Sequence, residues 1–421
     1  MRGSALDLIW RRRMDGLPRN ARNAILTEPL WGVFATPLLY YAPLYMSSVG
    51  LSTTQIGLLG SLFLALSFVF QALAGPLTNR VGRKRTTLWG DLISWSVPMF
   101  VWAFAQNFGA FVVAAALNAS NRIVAVSWSL LVIEDVEAPQ RARVFGILNL
   151  IVTTCGLLTP LVGLAISRHG VTPTLRALYL AGGLGMTVMF FWRNAITAET
   201  VSGKLAREQH KELGFRQSLN HTLSEVGGMR RHPGLVGVTA FYVLTIFLEQ
   251  LSLFQILFLE HTLHFSAQAL SYVPVGGVAV TVLVYRLVLP RLAAFPVART
   301  LVLTRALGLM GAVLLLLVPV GQLTPMLLVV SLLGGATFLT QTYRDAALFA
   351  RLPSAGAADL YSAVQTLALL CSVPAAALAG AIFAASPRGL FALIVAVSAL
   401  LLGLALWLAR REHQRPLPDA A

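Results

Sequence analysis

Acidic residues are scarce in this chain, 17 against 32 lysines and arginines in 421 residues, and all four charged types together reach only 12%. A soluble domain draws about a quarter of its residues from those types, so a water-soluble globule of this length is excluded. Cysteine is nearly absent: the two present, Cys155 and Cys371, each fall inside an apolar run. That rules out a disulfide framework and a metal-binding cysteine cluster, and leaves both as small packing residues. Phosphate-binding glycine loops, metal-spaced histidines and a nucleophile elbow are missing as well. No cofactor, no metal and no enzymatic activity are expected.

What the chain has in excess is apolar sequence, 57% of all residues, with a mean hydropathy of +0.73. A membrane span needs about 20 apolar residues, and runs of that kind recur at 28–46, 54–77, 86–105, 108–133, 144–166 and 175–192. A second set follows at 235–259, 268–289, 297–320, 326–350, 360–384 and 390–408. The expected fold is an all-α membrane protein of twelve transmembrane helices in two pseudo-symmetric six-helix bundles. Its divisions are a basic arm at 1–25, an amino-terminal bundle at 26–193, a linker at 194–233, a carboxyl-terminal bundle at 234–409 and a tail at 410–421. The arm reads either as an amphipathic helix on the lipid surface or as a disordered basic tail.

Charge placement tests this layout. Four arginines, Arg122, Arg286, Arg305 and Arg344, fall within spans, and three, Arg168, Arg176 and Arg388, fall in loops on one side. All other lysines and arginines lie on the side of the two termini, which the positive-inside bias makes cytoplasmic. A bacterial inner membrane is the expected location. The net charge of +15 therefore matches anionic lipid headgroups, and membrane lipids, not nucleic acid, are the expected partners. The two sets of spans also echo each other: Ser52 and Ser266 precede the second and eighth spans, and Pro160 and Pro374 lie inside the fifth and eleventh. Such repeats are common in secondary transporters.

Between the second and third spans lies a short basic turn, Gly75-Pro-Leu-Thr-Asn79-Arg80-Val-Gly82-Arg83-Lys84-Arg85. It resembles the loop that marks the major facilitator superfamily, Gly-x-x-x-Asp-Arg-x-Gly-Arg-Lys/Arg-Lys/Arg, with Asn79 where that family usually has Asp. The resemblance implies a twelve-helix transporter working by alternating access, with this loop on the cytoplasmic side. It also implies that the loop arginine pairs with an acid at the end of helix 4. Arg83 is thus expected to contact Glu134 or Asp135 when the inside is closed, through a latch that relies more on hydrogen bonds than the family norm.

Inside spans, an ionisable side chain costs about 2.5–3.5 kcal/mol at a helix centre unless it faces protein or water. At helical spacing, Asn118, Arg122 and Ser129 share one face of the fourth span. Tyr242, Thr245, Glu249 and Ser252 do so in the seventh, and Thr337, Gln341 and Arg344, with Asp345 beside them, in the tenth. The resemblance implies that helices 1, 4, 7 and 10 line a central cavity, where these faces would converge with Tyr41 of the first span. Drug:proton antiporters of the superfamily carry an arginine in helix 4 followed by Gln and Gly; Ala125 and Val126 follow Arg122, so only the arginine transfers. Gly146, Pro160 and Gly163 keep part of the glycine motif those exporters carry in helix 5, with Cys155, Thr159 and Leu164 in place of three glycines.

The expected function is secondary active transport of a small-molecule or lipid-like substrate, as proton-coupled export of an amphipathic or organic solute. Glu249 is the proton carrier in this reading, Asp345 the second candidate, and Arg122 the charge partner of Glu249 or an anion anchor. Arg344 and Asp345 read equally as an intracellular gate contact. Uptake or facilitated diffusion of a polar or anionic metabolite, and lipid flipping, stand as alternatives; a non-transporting sensor or scaffold fits the polar faces poorly. A monomer is expected.

Overall fold

The computed structural model describes residues 16–209, 233–292, 295–351 and 357–414. Twelve long helical segments run through them. The first is Arg19–Ser48, the second Thr53–Val81 and the sixth Val171–Ile196. The third joins Arg83–Asp91 to Val97–Phe104 through a π-helical turn, Leu92–Ser96. The fourth is Phe108–Ala119 and Asn121–Ile133, broken at Ser120, and the fifth is Ala138–Cys155 and Thr159–His169 with a tight turn between. A linker helix, Val201–Gln209, follows.

In the second half the seventh span begins with Pro233–Leu251 and continues irregularly through a 3-10 turn, Ser252–Phe254, to a π-helical end, Phe258–Thr262. The eighth lies within 267–292, the ninth is Val297–Leu317, the tenth Leu323–Phe349, the eleventh Ala357–Ala385 and the twelfth Pro387–Gln414. Ten of the twelve are long and apolar enough to cross a membrane; the exceptions are the first and the third. Large apolar side chains such as Leu39, Phe104, Val188 and Leu328 stay exposed, as suits a surface solvated by hydrocarbon rather than water.

Helix pairing repeats from one half to the other. The pairs first–fifth, first–sixth, second–fourth, third–fourth and third–sixth recur as seventh–eleventh, seventh–twelfth, eighth–tenth, ninth–tenth and ninth–twelfth. Local chemistry repeats too. Ser52 caps the second span by accepting from the Gln55 amide at 3.2 Å, and Ser266 caps the eighth by accepting from the Ala269 amide at 3.2 Å.

The halves meet through the second and eleventh spans and through the fifth and eighth. Between the second and eleventh the approach is backbone on backbone: a Cβ added at Gly57 would lie 2.4 Å from the Ala376 carbonyl oxygen, and one at Gly380 would lie 2.5 Å from that of Thr53. Ser61 Oγ accepts from the Ala377 amide at 2.9 Å. Tyr40 donates to the Leu270 carbonyl at 2.6 Å and Tyr41 to that of Ala267 at 3.4 Å. These contacts lie toward the end of the bundle away from the linker, so the halves are joined at that far end.

The first helix begins at Arg19, inside the stretch read as an arm, because Pro18 precedes it and its polar side chains find partners beyond the sixth span. Asn20 exchanges two hydrogen bonds with the Ala198 backbone at 2.8 and 2.9 Å, and Asn23 donates to the Ile196 carbonyl at 2.7 Å. The rest of the arm, 1–15, and linker residues 210–232 lie outside the described residues. The prolines of the first helix, Pro29, Pro37 and Pro43, are accommodated within one continuous element.

Candidate functional site

The seventh helix carries Glu249 into a cavity of about 290 Å³ enclosed by the seventh, ninth, tenth and twelfth spans. Thr245, Ser252, Thr337, Thr340 and Ser398 give its wall hydroxyl groups. Glu249 accepts a hydrogen bond from Gln341 Nε2 at 3.1 Å and lies 3.5 Å from Arg344 Nη1. At that separation the charges attract, but Nη1 has no hydrogen-bond partner. Arg344 itself is anchored elsewhere: Nε donates to Asp345 at 3.1 Å, and the guanidinium sits 4.2 Å from the centre of the Tyr242 ring, a cation–π contact. The seventh- and tenth-span faces thus converge. Thr245 and Ser252 also return their hydroxyls to carbonyls one turn back, on Phe241 and Leu248.

A second cavity, also about 290 Å³, lies across the seventh helix. Beside aliphatic side chains, Phe63, Trp95, Met99, Trp102, Phe111 and Tyr179 line it, with Asn118, Asn121 and Gln250 as polar contributors. Trp102 stacks on Tyr179 at 5.3 Å and meets Phe111 edge-on at 5.0 Å. Glu249 and Ser252 face the charged cavity while Gln250 and Leu253 face the aromatic one. One helix therefore separates, and belongs to, both.

Of the fourth-span face, Asn118 lines the aromatic cavity and not the one that holds Glu249. Asn118 turns toward the third span, donating to the Ser94 carbonyl at 2.7 Å and accepting from Trp102 Nε1 at 3.0 Å. Ser94 lies in the π-helical turn. The break at Ser120 then separates Asn118 from Arg122 and Ser129. Arg122 is half-buried and within electrostatic reach of Tyr242, while the ion pair of Glu249 in this structure is with Arg344. Tyr41, expected in the cavity, is fully buried and bonded to the eighth span at the far end.

At the linker end the basic turn is organised by two acids. Arg83 meets Glu134 in a forked contact, Nη2 to Oε1 at 2.9 Å and Nε to the two oxygens at 3.1 and 3.3 Å. The Thr200 hydroxyl donates to the same carboxylate. Glu199 caps the start of the third span, accepting from the amides of Arg83 at 3.0 Å and Lys84 at 3.1 Å. Gly82 adopts φ +97°, and a side chain there would meet Glu199 Oε2 at 2.6 Å, so the position needs glycine on both counts. Gly75 has open space around it, Asn79 is half-buried, and Arg80, Arg85 and Asp135 are exposed. The latch pair lies wholly inside the amino-terminal half, between the second–third turn and the end of the fourth span.

Sequence reasoning missed three groups: Glu199 and Thr200 in the linker; Arg305, buried on the ninth span; and a pair formed by Asp91 and Arg193 between the third and sixth spans. Arg193 also lies 4.1 Å over the Trp128 ring. Asp91 was visible as a buried-span acid, but its partner sits at a helix end 102 residues on.

Matching halves closed at one end, with a charged cavity inside the bundle, define the architecture of a secondary transporter. A family model described as Major Facilitator Superfamily matches residues 31–376, and the chain belongs to that superfamily of membrane transporters. Among curated proteins it is similar to the quinolone resistance protein NorA of Staphylococcus aureus strain MRSA252, 26% identical over 147 residues, which is 34% of this chain and 36% of that protein. NorA of strain N315 gives the same figures. The chain thus matches about a third of the length of these relatives. A solved POT family transporter in complex with 5-aminolevulinic acid aligns with TM-score 0.71 at 12% identity, covering 95% of this chain and 97% of that one. The nucleoside transporter NupG, in a mutant form, aligns with TM-score 0.67 at 14% identity, covering 94% and 98%. At such identities the likeness concerns the fold alone.

Proposed function

We propose that this protein exports an amphipathic organic solute in exchange for protons, with the linker end facing the cytoplasm of a bacterial inner membrane. The halves read as 26–193 and 234–409, the first extended by its helix ends to Arg19 and Ile196, rock against each other, and the segment between them is their tether. The observation that carries the reading is the seventh helix between two cavities, one holding a lightly tethered carboxyl and the other lined by aromatic rings. A solute seated on the aromatic side presses on the helix that holds the acid, so binding and proton release can be exchanged. Glu249 is the proton carrier, and Arg344 with Asp345 and Tyr242 forms its charged surround. Export is supported by the partial similarity to a quinolone resistance protein, since a membrane transporter confers resistance by lowering the internal concentration of a compound.

The test is transport in proteoliposomes, with a fluorescent quinolone as probe. Glu249→Gln keeps the side chain's shape but cannot titrate; it should retain probe exchange and lose accumulation driven by a pH gradient at least tenfold. Full pH-driven accumulation by this variant would exclude Glu249 as carrier and move the role to Asp345. An unmodified protein indifferent to a proton gradient would make facilitated diffusion the better description.

A further inference from the structure

Arg305 has been given no role so far. It lies on the ninth span, is 95% buried by its 5% exposure, and lines the same cavity as Glu249. Its Nη2 donates to the Thr340 hydroxyl at 2.6 Å, while its Nε is buried with no hydrogen-bond partner. Gly308, one turn on, leaves room for it: a Cβ there would lie 3.2 Å from Nη2. A guanidinium remains charged at any accessible pH, and burying it beside a single hydroxyl is costly unless an anion is at hand. Glu249 is the one acid among the residues lining that cavity. The acid has two flanking cations, Arg344 on the tenth span and Arg305 on the ninth, and each presents a buried guanidinium nitrogen with no hydrogen-bond partner.

We infer that Arg305 is a second docking partner for the Glu249 carboxylate, which passes between Arg344 and Arg305 as the transporter changes state. The other charged or titratable groups around it are accounted for. Asp345 is held by Arg344, Tyr242 lies under Arg344, Tyr361 of the eleventh span is in electrostatic contact with Asp345, and Arg122 of the fourth approaches Tyr242. The twelfth span contributes Ser398 to the cavity and no charge. Arg344 keeps Asp345 and Tyr242 when the acid leaves, so that departure strands no charge on the tenth span. Arg305 gains the anion it lacks. Arg305 is a positioning residue in this scheme: it gives the ionised acid a place inside the carboxyl-terminal half. Its consequence for coupling rests on the reading of Glu249 as proton carrier; the pairing itself does not.

Purified protein in lipid nanodiscs, without any transported probe, is enough for the test. The Glu249 carboxylate stretching band, identified by its loss in Glu249→Gln, should shift in Arg305→Gln, return toward its original position in Arg305→Lys, and stay in place in Arg286→Gln, whose side chain is exposed on the eighth span. Thermal melting should show a non-additive pair, with Arg305→Gln/Glu249→Gln losing less than the sum of the two single changes, because each single change already removes the same pairing. Should Arg305→Gln fail to fold, recovery of folded protein in the double variant supports the pairing, and no recovery overturns it. An unmoved band or strictly additive melting shifts also overturns it. Failure of proton-driven transport in the unmodified protein would instead sink the proposed function and leave this pairing to the band and the melting cycle.

Discussion

Replacing Arg83 by alanine removes the forked contact with Glu134 and leaves a carboxylate, 12% exposed, bonded only to Thr200. Breaking a buried ion pair from one side costs about 3–5 kcal/mol. The pair sits at the rim of the bundle, and one guanidinium nitrogen, Nη1, is already without a hydrogen-bond partner, so the lower end applies. About 3 kcal/mol is roughly a hundredfold in the balance between docked and released turn. Glu199→Gln is milder. It removes a charge from a helix start, worth about 0.3–1 kcal/mol, and weakens two charge-assisted bonds that a neutral amide oxygen can still accept, for a total of about 1–2 kcal/mol. Amide hydrogen exchange of the purified transporter reads both. Protection at 83–87 and 199–204 should fall about a hundredfold in Arg83→Ala and about tenfold in Glu199→Gln, with the far-end contacts of 53–61 unchanged. Unaltered exchange at 83–87 and 199–204 in Arg83→Ala would refute the energetic argument, and unaltered transport with an unaltered balance of inward and outward states would refute the latch.

Three further outcomes follow from the geometry. Gly57→Ala should push the second and eleventh spans apart, since its Cβ would fall 2.4 Å from a backbone oxygen that has no side chain to move aside; cysteine accessibility at the far end should rise, and a silent variant would contradict the close approach. Asp91→Asn strips the counter-charge from buried Arg193 and should cost about 3–5 kcal/mol, seen as a large drop in melting temperature; a shift of a degree or two would mean that the Trp128 contact suffices. Single cysteines at exposed positions Ser202 and Ser266 should label from the cytoplasmic side and from outside respectively, and the reverse pattern would overturn the orientation drawn from charge.

Much of the fold was legible because each span is written locally. Apolar length sets the helices, and Ser52 and Ser266 mark helix starts by a chemistry that needs no distant partner. The Glu249, Gln341 and Arg344 cluster was legible for a related reason: several polar residues on one helical face announce a wet wall even before its opposite wall is known. Arg305 stood alone on an apolar helix, with Thr340 and Glu249 supplied by other spans, so no periodicity pointed to it. Glu199 lies 116 residues from the amide it caps, and only the folded chain brings them together. The fourth span was legible only in part, because periodicity assumes a uniform helical rotation where the helix breaks at Ser120, and because the amide of Asn118 bonds to a π-helical turn in its neighbour.

The glycine contact between the second and eleventh spans also bears on the mechanics of the cycle. Interlocking side chains act like gear teeth: two surfaces so meshed move past each other only by lifting apart and exposing what they buried. Where Gly57 meets Gly380 there are no teeth, only two smooth backbones. Such a contact works as a plain bearing, on which one half can roll over the other while the line of touch migrates along the helices. One turn on, Ser61 bonds the Ala377 amide, so rolling along this track trades a single side-chain hydrogen bond and few rotamers. In the rocking cycle proposed above, the barrier to changing access would then fall mainly on the charged groups at the linker end and on the occupancy of the cavities beside the seventh helix.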